Sequence, residues 1–325
     1  MPEPSIEIHL HEDDFRRSLY NDVTAGLTRL PKILPPKYFY DDRGSELFEE
    51  ITKVEEYYPT RREREILEHE ASSIARLAQA DTLVELGSGT SLKTMLLLSA
   101  FHDQGLLKRF VPFDVSEATL AEAAASIADR WADVAVHAVV GDFERHLGEI
   151  PREGKRMFIF LGGTIGNLDE HDRAQFLEQL VATMNPGDSL LLGTDIVKAP
   201  ARLVAAYDDS AGVTADFNLN MLRVLNRELD GDFDLAAFEH VALWNADHER
   251  IEMHLRSLRE QTVHLGDLDL DVHFANGEMM RTEISCKFRR ESIASELAAA
   301  GLTLQHWWTD AHGDFGLSLS TFGDA

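Results

Sequence analysis

Thr82-Leu83-Val84-Glu85-Leu86 runs directly into Gly87-Ser88-Gly89-Thr90-Ser91. An apolar strand that meets an acid and then a Gly-x-Gly turn suits a nucleotide-like ligand, because glycine lets the backbone turn sharply and approach the ligand closely. Gly87 and Gly89 are therefore candidate ligand contacts. The following run, Leu92 to Ala100, reads as a helix whose N-terminus faces that ligand. Many α/β proteins also place glycine at a strand-to-helix turn for packing alone, so the acids further along have to carry the rest. Leu92 stands where Gly-x-Gly-x-x-Gly would place its third glycine, which opposes a pyrophosphate resting on the helix.

Phe110-Val111-Pro112-Phe113-Asp114-Val115 is a second apolar strand ending in an acid. Its separation from the glycine turn suits a carboxylate that takes both hydroxyls of a ribose, so Asp114 is the principal cofactor candidate. A third strand, Val134 to Val140, ends at Gly141-Asp142-Phe143 and offers Asp142 and Phe143 at the edge where an adenine would lie. A fourth, Arg156 to Leu161, opens into Gly162-Gly163-Thr164-Ile165-Gly166-Asn167. A fifth, Ser189 to Gly193, follows a helix and the turn Asn185-Pro186-Gly187-Asp188. Such alternation, from about residue 65 to 198, predicts a parallel sheet covered on both faces, with ligands at the carboxyl ends of its strands.

The C-terminal stretch reads as a helix, Arg290 to Ala300, closed by Gly301. Two strands follow, Leu304 to Thr309 and Phe315 to Ser320, joined by Asp310-Ala311-His312-Gly313-Asp314. This closing hairpin resembles the end of the class I methyltransferase fold, whose last strand enters a Rossmann-like sheet antiparallel. Together with the glycine turn and the spaced acids, it points to S-adenosylmethionine as methyl donor. Lys93 then becomes a candidate for the methionine carboxylate, with a surface role as its alternative.

Composition narrows the partners. The 325-residue chain is long enough for one large core and a second, smaller one, with 44% hydrophobic and 27% charged residues. Its 31 Lys and Arg stand against 57 Asp and Glu, a formal net charge of −26, which repels a phosphate backbone and argues against a nucleic-acid substrate. The single cysteine, Cys286, excludes an internal disulfide and reads as a buried thiol in an apolar strand. Met1 to Asp14 lacks the basic start and apolar run of a secretory segment, and no membrane span is visible, which implies a cytoplasmic enzyme, expected to be a monomer.

The β/α alternation breaks at residue 199. Helical stretches (Ala201 to Ser210, Ala215 to Asp230) and then strand-like ones (Ile251 to Leu258, Gln261 to Leu265, Met280 to Phe288) interrupt the sheet before its last helix. We therefore expect a discontinuous α+β substrate-binding domain from residues 15–60 and 199–286, and a methyltransferase domain from 61–198 and 287–325. Several motifs fail. Asp267-Leu268-Asp269-Leu270-Asp271 with Glu278 begins and ends like a calcium loop, but Val272 replaces the glycine its sharp turn needs, and a half-exposed strand fits the alternation better. The 14 histidines include no His-Glu-x-x-His, and one cysteine cannot build a zinc cluster, so no metal is expected. No Gly-x-Ser-x-Gly elbow supports a hydrolase.

The run Leu34-Pro35-Pro36-Lys37-Tyr38-Phe39-Tyr40-Asp41-Asp42-Arg43-Gly44-Ser45-Glu46-Leu47-Phe48, followed by Glu56-Tyr57-Tyr58-Pro59-Thr60-Arg61, sharpens this to a family. It resembles the L-histidine Nα-methyltransferases of ergothioneine biosynthesis. Val84 to Ser91, Phe160 to Asn167, Ala206-Tyr207-Asp208-Asp209 and Thr282-Glu283-Ile284-Ser285-Cys286-Lys287-Phe288 extend the likeness over nearly the whole chain. One departure is Gly163, where some members carry serine. The resemblance implies that Asn167 and Tyr207 hold the substrate carboxylate, that Tyr57, Glu283 and Ser285 address the imidazole, and that Tyr40 lines the amine side. Met253, on a neighbouring strand, is implied in the substrate pocket, and Tyr40 and Tyr57 are the implied catalytic pair. The residue chemistry agrees independently, since an amide and a phenol donate to carboxylates, while Glu283 and Ser285, two apart on a strand, share a face.

The implied reaction is transfer of a sulfonium methyl to the α-amine of histidine, three times, giving hercynine. An activated donor leaves the protein mainly to align nitrogen, methyl carbon and sulfur and to lead protons away. A nicotinamide oxidoreductase shares the strand-turn-acid pattern, but Leu92 and the closing hairpin oppose it. A catalytically silent ligand-binding protein and a methyltransferase for another small amine stay open on sequence.

Overall fold

The computed structural model describes residues 4–10, 12–88, 93–143 and 145–323. Gly89, Thr90, Ser91 and Leu92, which include one of the proposed glycine contacts, lie outside the described residues. The chain divides into two compact units. One comprises Met1–His11, Arg61–Ile196 and Phe288–Ala325, and the other Glu12–Thr60 and Val197–Lys287.

In chain order the elements are β1 (Ser5–Ile8), α1 (Glu12–Thr28), β2 (Lys32–Ile33), α2 (Asp42–Ile51), α3 (Pro59–Ala78), β3 (Thr82–Leu86), α4 (Thr94–Asp103) and β4 (Arg109–Asp114). Then come α5 (Glu117–Arg130), β5 (Ala135–Val140), β6 (Arg156–Phe160), α6 (Glu170–Thr183), β7 (Ser189–Asp195), α7 (Pro200–Ala205) and α8 (Val213–Glu228). The remainder are β8 (Phe238–Asn245), β9 (Arg250–Ser257), β10 (Gln261–Leu265), β11 (Leu270–Phe274), β12 (Met279–Cys286), α9 (Arg290–Ala299), β13 (Leu302–Thr309) and β14 (Phe315–Phe322).

The first unit holds an eight-stranded sheet in the order β1-β5-β4-β3-β6-β7-β14-β13. Every residue of β3, β6 and β7 is buried, the continuous apolar pattern of parallel strands covered on both faces. β14 runs antiparallel to both β7 and β13, as the class I methyltransferase likeness predicts. The neighbours of β3 are β4 on one side and β6 on the other, so the chain reverses its direction of winding there. That switch point is where such sheets bind ligands, at the carboxyl ends of the strands. At the opposite end a buried pin locks β6 to the turn before β7. Asp188 accepts from the Arg156 backbone N–H (2.8 Å) and from its Nε (3.0 Å) and Nη2 (2.6 Å), while Nη2 also reaches the Thr183 carbonyl.

The second unit is built on a four-stranded sheet, β2-β12-β9-β8, antiparallel except for the short β2. It has its own core, in which Leu19, Val23 and Leu27 of α1, Phe217, Met221 and Leu225 of α8, and Met253 and Leu255 of β9 are buried. α8 places an apolar residue inward every three or four positions, the helical period. The β12–β9 register slips between Arg281 and Glu283, so that β12 carries one extra residue, Thr282, in a bulge. Thr282 is fully buried and donates to Asn218 Oδ1 at 2.7 Å, which ties the bulge to α8.

Two strands are added and one expectation changes. The segment before Asp14 contributes an edge strand, β1, parallel to β5, which its polar composition conceals. β8 is a further strand that the sequence pattern does not announce. The Asp267–Asp271 stretch is not one strand: Gly266–Leu268 form a 3-10 turn and Asp269 has a positive φ of 46°, so the strand begins only at Leu270 and pairs with β10 as a hairpin. Alternation of polar and apolar residues through a tight turn imitates a strand, because a hairpin also turns successive side chains to opposite sides.

Candidate functional site

In the first unit the predicted cofactor residues gather at the carboxyl ends of β3, β4 and β5. Gly87 has φ of +69°, its N–H donates to the Phe113 carbonyl at 2.9 Å, and no atom of the described residues lies within 4 Å of where a Cβ would sit. Glu85, 6% exposed, accepts from Ser88 Oγ at 2.5 Å and from the hydroxyl of Thr94, the first residue of α4, so this acid helps to build the turn. Asp114 is half-buried at the end of β4 and accepts the Ser116 N–H at 3.1 Å. Gly141 donates to the Asp114 carbonyl (2.9 Å), bringing Asp142 beside it, and the Asp142 N–H donates to His146 Nδ1. Phe143 packs edge-on against Phe160 and Phe176, with ring centroids 5.8 and 5.7 Å away. Acid, open glycine turn and aromatic edge together fit an adenosyl group.

Lys93 is held from below. Its ammonium pairs with Glu63, a residue with no exposed surface, whose other oxygen accepts the Gly162 N–H at 2.7 Å. Gly193 in β7 leaves room for that carboxylate, since a Cβ there would lie 2.3 Å from Glu63 Oε1. Sequence reading misses Glu63 because a glutamate in the charged run Arg61-Arg62-Glu63-Arg64-Glu65 looks like solvated helix surface. Gly162 and Gly163 both adopt left-handed backbone (φ +78° and +71°), a conformation side chains resist, and they turn the chain into the short 3-10 helix that ends at half-buried Asn167.

The second unit gathers Tyr40, Tyr57, Tyr207, Met253, Glu283 and Ser285. Tyr57 is 8% exposed and meets the Tyr207 ring at 6.1 Å and the Phe48 ring at 6.2 Å. Tyr40 packs on Phe48 and Phe217, two aromatics that sequence reading does not single out. Tyr40 keeps 44% of its surface accessible, yet desolvation at its hydroxyl, and then Glu283 and Tyr207, raise its pKa above the usual phenol range. It therefore stays a neutral hydrogen-bonding group. Glu283 sits opposite Met253 across the β12–β9 ladder, directly after the bulge. Bulges re-aim the side chains that follow them.

Glu283 is 8% exposed, and among the described residues its carboxyl has no hydrogen bond or ion pair. Burial pushes its pKa up to about 7, against the opposing pull of Lys287. Two residues on, Ser285 is 5% exposed, and its Oγ lies 2.7 Å from the Tyr207 hydroxyl. Two further on is Lys287, 4% exposed, which donates to Ser285 Oγ at 2.8 Å and to Tyr207 Oη at 3.0 Å. Period-two spacing from Glu283 and Ser285 reaches Lys287, so extending that face by one step would have found it. A second network anchors Tyr207 from behind. His240 Nε2 lies 2.7 Å from the Tyr207 carbonyl while Asn218 donates to His240 Nδ1 at 2.8 Å, which assigns the imidazole its Nε2–H tautomer. Burial lowers the His240 pKa and keeps that ring neutral.

Among the described residues no group of three or more His, Cys, Asp or Glu is placed to hold a metal. Cys286 is a buried cysteine.

Residues 19–322 match the model of a family described as histidine-specific methyltransferase, SAM-dependent. Histidine N-alpha-methyltransferases of Mycolicibacterium smegmatis and Mycobacterium tuberculosis are each 58% identical to the chain over 316 residues, covering 97% of it and 98% of their own length. Ergothioneine biosynthesis protein 1 of Neurospora crassa is 30% identical over 300 residues, 89% of this chain and 33% of that longer protein. With an adenosyl-fitting turn in one unit and a buried polar strand face in the other, this chain belongs to the family of histidine-specific, S-adenosylmethionine-dependent methyltransferases.

Proposed function

We propose that the protein trimethylates the α-amine of free L-histidine to hercynine, the first step of ergothioneine biosynthesis. The observation that carries this reading is Glu283: a buried carboxyl with no partner among the described residues, beside a hydroxyl, on one face of β12. A substrate with ring nitrogens satisfies those groups, and one without them leaves them unpaired. The family and the names of its close relatives support the same substrate.

S-adenosylmethionine supplies an activated methyl: in each transfer a nitrogen–carbon bond forms, the carbon–sulfur bond breaks, and sulfur keeps its electron pair. Gly87, Asp114, Asp142 and Phe143 bind the adenosyl end, with Gly89 a further candidate contact and Lys93 directed to the methionine carboxylate. Asn167 and Tyr207 hold the substrate carboxylate. Tyr57, Glu283 and Ser285 read the imidazole, with Met253 shaping the pocket beside it. An amine that arrives unprotonated sheds one proton after the first transfer and one after the second. Tyr40 and Tyr57 orient the amine and pass those protons on, and their aromatic faces tolerate the growing cation. The second, discontinuous segment serves as substrate domain and the doubly covered sheet as methyltransferase domain. The enzyme acts as a cytoplasmic monomer. No helix among the described residues is long and apolar enough to cross a membrane.

Incubation with S-adenosylmethionine and a mixture of free amino acids, followed by mass spectrometry, tests this reading. Trimethylhistidine as the dominant product is expected. Methylation of a different amine would overturn the substrate, and binding of both ligands by calorimetry without turnover would make the protein a ligand binder.

A further inference from the structure

The Lys287 ammonium is an unusual occupant of a buried strand face. Removing a lysine from water is unfavourable unless its donors are used, and a methionine of similar length would pack the same space without that cost. Its donors are directed: one hydrogen bond goes to Ser285 Oγ and one to Tyr207 Oη, and the ammonium also lies over the Tyr207 ring, 4.6 Å from its centroid. Ser285 and Tyr207 in turn hydrogen-bond each other at 2.7 Å. The three groups are joined pairwise by hydrogen bonds.

This arrangement has a fixed polarity. An ammonium only donates, so both oxygens accept from Lys287. Of the two hydroxyl protons, one lies in the Ser285–Tyr207 bond, so at most one is left to serve any other group. Without Lys287, each oxygen regains a lone pair, and either hydroxyl can rotate to accept rather than donate.

We propose that Lys287 is a positioning residue for histidine recognition, clamping Ser285 and Tyr207 into one orientation so that the strand face beside Glu283 presents a single, defined hydrogen-bond pattern. This rests on the reading that Glu283, Ser285 and Tyr207 contact the amino-acid substrate. Lys287 itself acts through the two hydroxyls.

The test is a double-mutant cycle on the full-length enzyme, with steady-state constants for both substrates and calorimetric affinities for histidine and phenylalanine. Lys287→Met is expected to raise KM for histidine by about 10- to 100-fold, the scale of a lost charge-assisted hydrogen bond, with KM for S-adenosylmethionine within about twofold of wild type. Affinity for phenylalanine should change far less. In a Ser285→Ala background, the same substitution should cost clearly less than in the wild type, because one of its two hydroxyl partners is already gone. Full additivity of the two substitutions, or equal loss for histidine and phenylalanine, would overturn the clamp and leave Lys287 a packing residue. If Lys287→Met is not folded, Lys287→Gln, which keeps a donor and removes the charge, is expected to show the same non-additivity at smaller size, and additivity there would equally overturn the clamp. Glu283→Ala, measured alongside, separates the two ideas. If Glu283→Ala leaves histidine selectivity intact, the site reading itself fails; if it abolishes selectivity while Lys287→Met does not, only the clamp fails.

Discussion

Two buried charges in this molecule are treated in opposite ways. At the base of the eight-stranded sheet, Arg156 and Asp188 are 0% and 1% exposed, and each saturates the other: three hydrogen bonds join them and carbonyls of Pro151 and Thr183 take further guanidinium donors. In the other unit, Glu283 is nearly as buried, yet among the described residues its carboxyl lacks a hydrogen bond or ion pair. A folded protein does not normally leave a buried carboxyl unsatisfied, since the lost hydration is not recovered. The first pair is complete within the fold; the second carboxyl is the group we propose to meet the substrate. Burial alone does not separate them; satisfaction does.

The largest effect is expected at the unsatisfied charge, in selectivity. Glu283→Ala should lower the preference for histidine over phenylalanine and tryptophan, read as a ratio of kcat/KM values, by up to about 10⁴-fold, the discrimination available to a site that hydrogen-bonds its substrate. Shortening Met253 in the same protein should further admit bulky rings. A retained wild-type preference would return Glu283 to a structural role. Next comes the satisfied charge, in stability. Asp188→Ala leaves the Arg156 guanidinium buried and unpaired and should cost about 3–5 kcal/mol in denaturant unfolding. If it costs no more than a surface change, the contrast between the two regions collapses.

Asp114→Ala should weaken binding of S-adenosylmethionine by about 2–4 kcal/mol, with ribose hydroxyls left unpaired. Unchanged affinity by calorimetry would remove Asp114 from the site. A smaller effect sharpens the comparison through pH. The Glu283 pKa is raised from 4.5 to about 7 in the fold, so below pH 4.5 the group is neutral in both folded and unfolded states. Between pH 4.5 and 7 only the folded state holds the proton, so its contribution to stability falls as pH rises, by up to about 3 kcal/mol. Glu283→Gln should remove that slope from unfolding curves taken across the window; an identical slope in the variant would show that another group titrates. Finally, Asn167→Ala should raise KM for histidine by about tenfold, as one directed hydrogen bond is worth, with little change for the donor. Equal changes in both constants would indicate general destabilisation instead.

The sheet is legible in sequence because its signals are local. β3, β4, β6 and β7 are short apolar runs bounded by Gly, Asp and Asn, and the closing hairpin carries its turn residues in one stretch. β1 is hidden, since a strand exposed along its length, Ser5-Ile6-Glu7-Ile8, needs little apolar sequence and is defined by the backbone of β5 beside it. The hairpin of β10 and β11 is obscured where a turn imitates alternation. Among the candidate residues, Glu283 and Ser285 share a face by period two, which is a property of sequence. Lys287 obeys the same rule but lies one step beyond the strand's last residue, Cys286.

By itself the amino-acid order determined the β/α sheet with its antiparallel close, the acids at the strand ends and the likeness to a methyltransferase family, because periodicity, turn chemistry and motif spacing are all short-range. Only the tertiary structure decided which charges are complete. Glu63 is buried under Lys93 because β7 has a glycine at 193, and Asp188 is matched because β6 begins at Arg156. Glu283 is left without a hydrogen-bond partner among the described residues because the bulge at Thr282, tied to Asn218 on α8, sets its direction. Each of these depends on groups brought together from distant parts of the chain, and hydrogen-bond satisfaction is a property of where atoms meet rather than of their order along the chain.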